Sequence, residues 1–155
     1  MRLSARVDYA LRAVVELASV AVADPHHPRT LTAERIAQAQ DIPPKFLESI
    51  LLQLRRAGIV NAQRGPEGGY WLARRPSEIS LADVIRVIDG PLAHIRGQRP
   101  EDLGYRGAAA ALQDVWIALR ASERQILELV TLADVATGQL PDRVRELADD
   151  PAAWT

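Results

Sequence analysis

The sequence contains no cysteine. The chain therefore cannot form a disulfide, use a cysteine nucleophile, or hold zinc or an iron–sulfur cluster through thiolates of its own. Its three histidines, His26, His27 and His94, do not stand at a metal-ligand spacing with other ligands. We therefore predict no metal site and no cofactor.

Long apolar segments are absent as well. No run of about 18 apolar residues occurs, and the apolar stretch from Met1 to Val22 is interrupted by Arg6, Asp8, Arg12 and Glu16. Neither a membrane-spanning helix nor a signal peptide has this composition. We therefore expect a soluble, cytoplasmic protein that does not associate with membranes.

Aromatic residues are scarce: the chain has one Phe, three Tyr and three Trp, although 48% of its residues are hydrophobic. A core with so few rings must be built mainly from Ala, Leu and Val, which favours helices with aliphatic faces. The length of 155 residues suffices for one compact domain, or for a small domain with an oligomerisation arm. The composition therefore predicts a mainly α protein.

The whole chain has no strong excess of one charge, because its net charge is −1. Its two halves, however, have net charges of opposite sign. Residues 1–75 contain 11 Lys and Arg against 7 Asp and Glu, a balance of +4. Residues 76–155 contain 8 against 13, a balance of −5. This asymmetry indicates that the N-terminal half meets an anionic partner.

The stretch from Leu31 to Arg75 has the order of elements of a winged helix-turn-helix. Thr32 can cap a first helix, and Pro43-Pro44 breaks the chain and begins a second helix that ends before Gly58. Two short strand candidates, 59–63 and 70–74, flank a Gly- and Pro-rich turn. We predict a mainly α fold, an α+β winged helix, with a two-stranded wing.

Helices are predicted on both sides of this stretch. Ser4 can cap a helix that runs to about Ala23, and Ser80 can cap one that Gly90-Pro91 ends. A longer helix is predicted over 108–130, and a domain this small cannot cover it alone, so we expect it to pair with a second chain. Its apolar side supplies the predicted dimerisation residues, which are Leu112, Val115, Trp116, Leu119, Ile126 and Val130.

The predicted organisation has four parts. They are a winged helix-turn-helix DNA-binding domain at 1–91, a loop at 92–107, a dimerisation helix region at 108–137 and a C-terminal extension at 138–155.

The polar side of the second predicted helix of this stretch carries groups suited to DNA. Lys45, Ser49 and Gln53 can donate to base edges or phosphates, and Glu48 can accept from a cytosine amino group. In the turn, Arg64 can enter or flank the minor groove, while glycines let the backbone approach phosphates. An ordinary solvated helix face and a plain hairpin turn are the alternatives that these residues leave open.

Short motifs in register run along most of the chain. They are Met1–Ser4, Tyr9–Arg12, Ile42–Val60 with Phe46-Leu47-Glu48, Arg64–Pro66, Gly68–Tyr70, Leu72–Arg74, Glu78–Leu92 and Thr131–Val135. Together they resemble the family of winged-helix transcription regulators that includes IscR, NsrR and CymR. The predicted DNA-binding residues, with those that the resemblance adds, are Arg2, Ser4, Arg6, Lys45, Phe46, Glu48, Ser49, Gln53, Arg64, Gly65, Pro66, Gly68, Gly69 and Tyr70.

The chain departs from that family at two places. Relatives that hold a cluster carry three cysteines in the loop that corresponds to 92–107, so the resemblance implies a member without a cluster. Asp8 corresponds to a carboxylate ligand in some of those relatives, and without thiolates nearby we expect it to be an ordinary surface acid. Glu67 stands where the family usually has glycine and adds a negative charge to the turn.

We predict a homodimeric DNA-binding transcription regulator that contacts double-stranded DNA. The resemblance implies a repressor that responds to an unknown small molecule or to a protein partner such as a metabolic enzyme. The alternative is a winged-helix protein-interaction module that does not bind DNA, which Glu67 and the net charge of −1 favour. An enzyme is not expected, because the sequence shows neither a nucleophile motif nor paired carboxylates in a recognisable setting.

Overall fold

The computed structural model describes residues 1–27 and 29–155, which form a mainly helical fold with one antiparallel sheet. In this part of the chain, no helix combines the length and the apolar character that crossing a membrane requires. The predicted mainly α winged-helix class is confirmed. The elements are α1 (Ala5–Ala23), α2 (Ala33–Gln40), α3 (Pro44–Arg56), β1 (Val60–Gln63), β2 (Gly69–Leu72), α4 (Leu81–Asp89), α5 (Leu112–Leu127), α6 (Leu132–Thr137) and α7 (Asp142–Asp149).

The predicted helix signals act as expected. The side chains of Ser4 and Thr32 accept hydrogen bonds from backbone N–H groups in the first turns of α1 and α2. Ser80 and Asp83 form a reciprocal capping box at the start of α4. Gly58 follows α3 with a φ of +76°, the left-handed conformation that ends a helix at little cost for glycine.

Helix α1 lies at the centre of the chain, because it packs against α2, α3, α4, α6 and β2. Small and branched residues on its buried face, such as Ala10, Val14 and Ala18, let these elements approach closely. The core that surrounds it is aliphatic, as the composition predicts, and joins α1 to Ile36, Leu51 and other residues of the helix-turn-helix.

The long helix is shorter than predicted. It spans Leu112–Leu127 and follows a single 3₁₀ turn at Gly107–Ala109. After it the chain returns to the N-terminal core, where Val130 O accepts from Leu81 N at 3.0 Å and Leu132 N donates to Ile79 O at 2.9 Å. Val130 is only 2% exposed, so its side chain packs inside the chain and presents almost no surface for the dimer contact that we predicted.

Leu132 is fully buried although it follows the long helix, and we predict that it stabilises the core. Leu132→Ala should lower the free energy of unfolding by about 2–5 kcal/mol, because it leaves a cavity against α1. Urea denaturation measures this change. Val135→Ala is the matched control on the exposed side of α6 and should cost about 0.5 kcal/mol or less. Equal effects of the two changes would contradict this placement of α6.

Candidate nucleic-acid interface

Helix α3 separates a buried side from an exposed side. Leu47, Ile50 and Leu54 are buried in the core, whereas Lys45 and Glu48 are exposed. Pro44 occupies the first turn, where its missing N–H costs nothing. The remaining exposed residues of α3 form a surface with donors, acceptors and an apolar contact for a groove, and they are Phe46, Ser49, Leu52, Arg55 and Arg56.

Gln53, which we predicted as a DNA contact, is half-buried, and its side chain is hydrogen-bonded within the protein. Its Oε1 accepts from Arg6 Nη2 of α1 at 2.9 Å, and its Nε2 donates to Val87 O of α4 at 2.7 Å. Both ends of the amide are therefore engaged, and the side chain fixes α3 relative to α1 and α4. No signal in the sequence marks this inward role, because both partners come from other helices.

The N-terminal residues lie beside this helix. Ser4 donates from its hydroxyl to Asp89 Oδ1 at 3.1 Å and thereby links the start of α1 to the end of α4. Arg2 is exposed next to it. Phe46 is 51% exposed, and its ring centroid lies 5.7 Å from that of Tyr9, which our prediction missed as its partner.

The wing, residues 60–72, is attached to the segment that precedes α2. Its strands pair in the register Val60 to Leu72 and Gln63 to Gly69. Leu31 forms a β-bridge with Tyr70: Tyr70 N donates to Leu31 O at 2.8 Å, and Leu31 N donates to Tyr70 O at 3.0 Å. These bonds fix the position of the wing beside the helix-turn-helix.

Gly68 and Gly69 of the wing, which we predicted as DNA contacts, lie against the backbone of neighbouring residues. A Cβ on Gly68 would lie 2.3 Å from Gln63 O, and one on Gly69 would lie 2.7 Å from Leu31 O. Gly68 N also donates to Gly65 O at 2.9 Å, so this N–H is not free to contact a phosphate. Gly65, with a φ of +110°, is exposed at the tip with Arg64 and Pro66.

Charge is distributed in a way that suits an anionic ligand. Among the described residues, Arg12 is the one cation of residues 1–75 that forms an Arg–carboxylate or Lys–carboxylate pair, with Asp8. In residues 76–155, by contrast, five arginines form such pairs. An open groove of about 480 Å³ lies between Arg55 of α3 and Arg64 of the wing. The cations around the helix-turn-helix are therefore available to phosphates.

Helix α5 has two different sides next to each other. One side is hydrogen-bonded to the segment 92–107: Trp116 Nε1 donates to Tyr105 Oη at 2.9 Å, and Gln113 Nε2 donates to Leu103 O at 2.9 Å. Arg120 pairs with Glu101, whose pKa is lowered first by its own backbone N–H and then by this arginine. The other side is apolar and exposed at Leu112, Val115 and Leu119, by 39%, 52% and 44%.

The remaining predicted dimerisation residues lie off this exposed patch. Trp116 is half-buried against the loop, and Ile126 is half-buried in a cleft that Leu147 of α7 also lines. We call the exposed residues Leu112, Val115 and Leu119 the apolar patch of α5.

An exposed helix after a tight turn, a neighbouring wing and unpaired cations around both define a winged helix-turn-helix DNA-binding protein. Residues 3–138 match the Rrf2 family, described as an iron-dependent transcriptional regulator. The chain therefore belongs to the Rrf2 family of DNA-binding transcriptional regulators and is not an enzyme.

Individual relatives agree with this assignment. The chain is 53% identical over 150 residues to a Mycobacterium tuberculosis protein provisionally named HTH-type transcriptional regulator Rv1287. The matched residues cover 97% of this chain and 90% of that protein. The structure of CymR, described as the global cysteine regulator of B. subtilis, superposes with a TM-score of 0.74 at 29% identity, over 90% of this chain and 98% of CymR. IscR of T. potens gives a TM-score of 0.70 at 27% identity, over 94% and 96% of the two chains.

The donor atoms of this chain do not fit an iron–sulfur cluster, although the family description names iron. The whole sequence lacks cysteine, and the described residues contain no group of three or more His, Asp or Glu placed to hold a metal ion. Asp8 is instead paired with Arg12 on the surface of α1.

We predict that Gly68→Ala damages the wing. The added methyl group would meet the backbone oxygen of Gln63, so the loop must shift at a cost of about 1–3 kcal/mol in strain. Thermal denaturation should show a lower midpoint, and fluorescence anisotropy should show weaker binding to a DNA duplex selected in vitro. Gly104→Ala, where a methyl group meets open space, is the control and should change neither. A Gly68→Ala variant with unchanged midpoint and affinity would disprove this role.

Proposed function

We propose that this protein is a homodimeric repressor that binds near-palindromic operator DNA and carries no iron–sulfur cluster. The single observation that supports DNA contact most strongly is the surface formed by exposed α3 residues, the wing tip and unpaired cations. Lys45, Glu48 and Ser49 face away from the core and would contact base edges in the major groove. Arg64 would contact the minor groove or its phosphates, while Arg2 would add a phosphate contact.

The dimer proposal rests on the apolar patch of α5. Leu112, Val115 and Leu119 follow the three- and four-residue spacing of one helix face, and all three are exposed in the single chain. Pairing this face with its counterpart in a second copy would bury it and set the distance between two α3 helices. Two such helices about one helical turn of DNA apart would occupy successive major grooves.

Regulation would act through this spacing. The contacts of Gln53 fix α3 to α1 and α4, so the DNA-binding unit moves as a body and the geometry between the two units of a dimer is the quantity an effector can change. A small molecule or a protein partner, such as a metabolic enzyme, could supply the signal. Repression would follow if the bound dimer occludes a promoter.

A protein-interaction module that does not bind DNA is the second candidate. The specific observation in its favour is Glu67, an exposed carboxylate at the wing tip that would approach the phosphates. The two candidates differ in their response to salt, because a protein that displaces counterions from DNA loses affinity steeply as salt rises.

We expect Arg64→Ala to weaken binding to all DNA sequences and to reduce the slope of log affinity against log salt by about 1. Glu48→Ala should instead relax the preference at one base pair, worth about 1–3 kcal/mol, with little change of the salt slope. Fluorescence anisotropy on a selected duplex and its single-base variants measures both.

Arg143→Ala is the control for Arg64→Ala, since Arg143 is exposed on α7, away from the DNA-binding surface. It should leave the affinity and salt slope unchanged. DNA binding that is unaffected by both Arg64→Ala and Glu48→Ala would show that α3 and the wing are not the contact surface, and an absence of salt-dependent binding would favour the interaction module.

We expect Val115→Glu to raise the dimer dissociation constant by about tenfold or more, because pairing would bury an unpartnered charge. Analytical ultracentrifugation over a range of concentrations measures it. Ala121→Glu, an exposed position on the opposite side of α5, is the matched control and should leave association unchanged. Identical dissociation constants for both variants and the unchanged chain would exclude this face as the interface.

A further inference from the structure

A cleft lies where the DNA-binding unit meets α5. Its walls are residues 1–3, the end of α4 with the chain that follows it, and one side chain of α5, and its volume is about 320 Å³. That volume is at the lower end of the range for small-molecule sites. Leu3, Ile85 and Leu92 give the cleft apolar surface.

Glu123 of α5 lines this cleft and has no partner there. The residue is only 9% exposed, and its Oε2 atom is buried without a hydrogen bond from any described residue. No ion pair with Glu123 occurs among the described residues either. A buried carboxylate without a donor is costly, and proteins rarely retain one unless a ligand or a solvent molecule satisfies it.

The other ionisable groups of the cleft are of both signs, and Glu123 is the buried one without a partner among the described residues. Asp89 contributes a second carboxylate, which already accepts from Ser4. Arg2 is exposed at the rim, and the ring of His94 lies over Gly90, 3.7 Å from the position of an added Cβ. Asp89, His94 and Glu123 do not come together as metal ligands in the described part of the chain. The unsatisfied group is therefore an anion in a partly apolar cleft.

We propose that this cleft binds a small organic cation, an amine or guanidine with an apolar portion, whose charged N–H group donates to Glu123. This inference rests on the proposed function as a regulator that responds to a small molecule, and it names the site and the chemical class of that molecule. The apolar walls would contact the hydrocarbon part of the ligand, and the two carboxylates would exclude anions.

The position of the cleft connects a ligand to DNA binding. Residues 2 and 3 directly precede Ser4, which joins the start of α1 to Asp89 at the end of α4. Gln53 joins α3 to the same two helices. A ligand held by Glu123 would therefore touch α5 on one side and the body that carries α3 on the other, and it would bias their relative position.

Isothermal titration calorimetry on the full chain tests the site with two cationic probes, benzylamine and agmatine, and with benzyl alcohol as the neutral counterpart of benzylamine. We expect at least one amine to bind, benzyl alcohol to bind at least about tenfold more weakly, and Glu123→Gln to weaken the amine by about tenfold or more, as for loss of a charged hydrogen bond. Asp114→Asn, an exposed carboxylate on the same helix, is the control and should bind as the unchanged chain does.

Folding of the variant separates a ligand site from a structural role. Because Glu123 has no partner within the described chain, Glu123→Gln should keep the thermal midpoint of the ligand-free protein or raise it, and the amine should raise the midpoint only while Glu123 is present. A large fall of the midpoint in Glu123→Gln would show that the carboxylate stabilises the fold, and would overturn the proposal.

Three further results would overturn it. The first is that neither amine binds up to about 10 mM, a concentration well above the dissociation constant of a weak ligand. The second is that benzylamine and benzyl alcohol bind equally well. The third is that an amine binds equally well to the unchanged chain and to Glu123→Gln.

DNA binding is measured separately on the same samples. An amine that changes operator affinity in the unchanged chain but not in Glu123→Gln supports the coupling, whereas an amine that binds without changing it contradicts the coupling. DNA binding without amine binding would refute the ligand site alone, and amine binding without DNA binding would refute the proposed function while the site stands.

Discussion

The packing of α1 is the constraint on which the other elements depend. Its buried face consists mainly of small and branched residues, with Leu17 as the one larger side chain among them, so α2, α3, α4, α6 and β2 pack closely against the central helix. Close packing of this kind transmits the position of one element to the next. The start of α1 also carries Ser4 and Arg6, which bond to the end of α4 and to α3. The helix thus fixes the geometry of the DNA-facing surface from behind.

Electrostatics then decides what this rigid surface can bind. The acidic C-terminal half neutralises most of its own arginines in local pairs, such as Glu128 with Arg86 and Arg124, which lower the pKa of that carboxyl. The cations around α3 and the wing have no such partners among the described residues, except for Arg12. A chain with a net charge of −1 can therefore present a basic surface to DNA. Glu67 is the exception at the wing tip.

Local signals in the sequence were enough to predict most of the fold. Ser4, Thr32, Ser80 and Gly58 mark helix ends through bonds or conformations that depend on near neighbours, and the structure confirms them. The ends of the long helix could not be obtained in this way. Val130 leaves the helix because its carbonyl bonds to Leu81, a partner about fifty residues away in the sequence that no periodicity reveals.

The same limit applies to the DNA-binding surface. Spacing showed that Gln53 lies on the polar side of α3, but only the fold shows that Arg6 and Val87 already occupy its amide. We predicted that the wing glycines let the backbone approach phosphates, yet it is the backbone of Gln63 and Leu31 that leaves no room for a Cβ at Gly68 and Gly69. Glu123 gave no signal at all, since a glutamate in an amphipathic helix is ordinary until its burial is known.

The central claim is that paired α5 helices hold two α3 helices at a fixed distance. Hydroxyl-radical footprinting on an operator selected in vitro tests it most directly. We predict two protected tracts related by a two-fold axis, with centres about 10 base pairs or one helical turn apart on one face of the duplex. A single protected tract at saturation, or no protection at all, would contradict it.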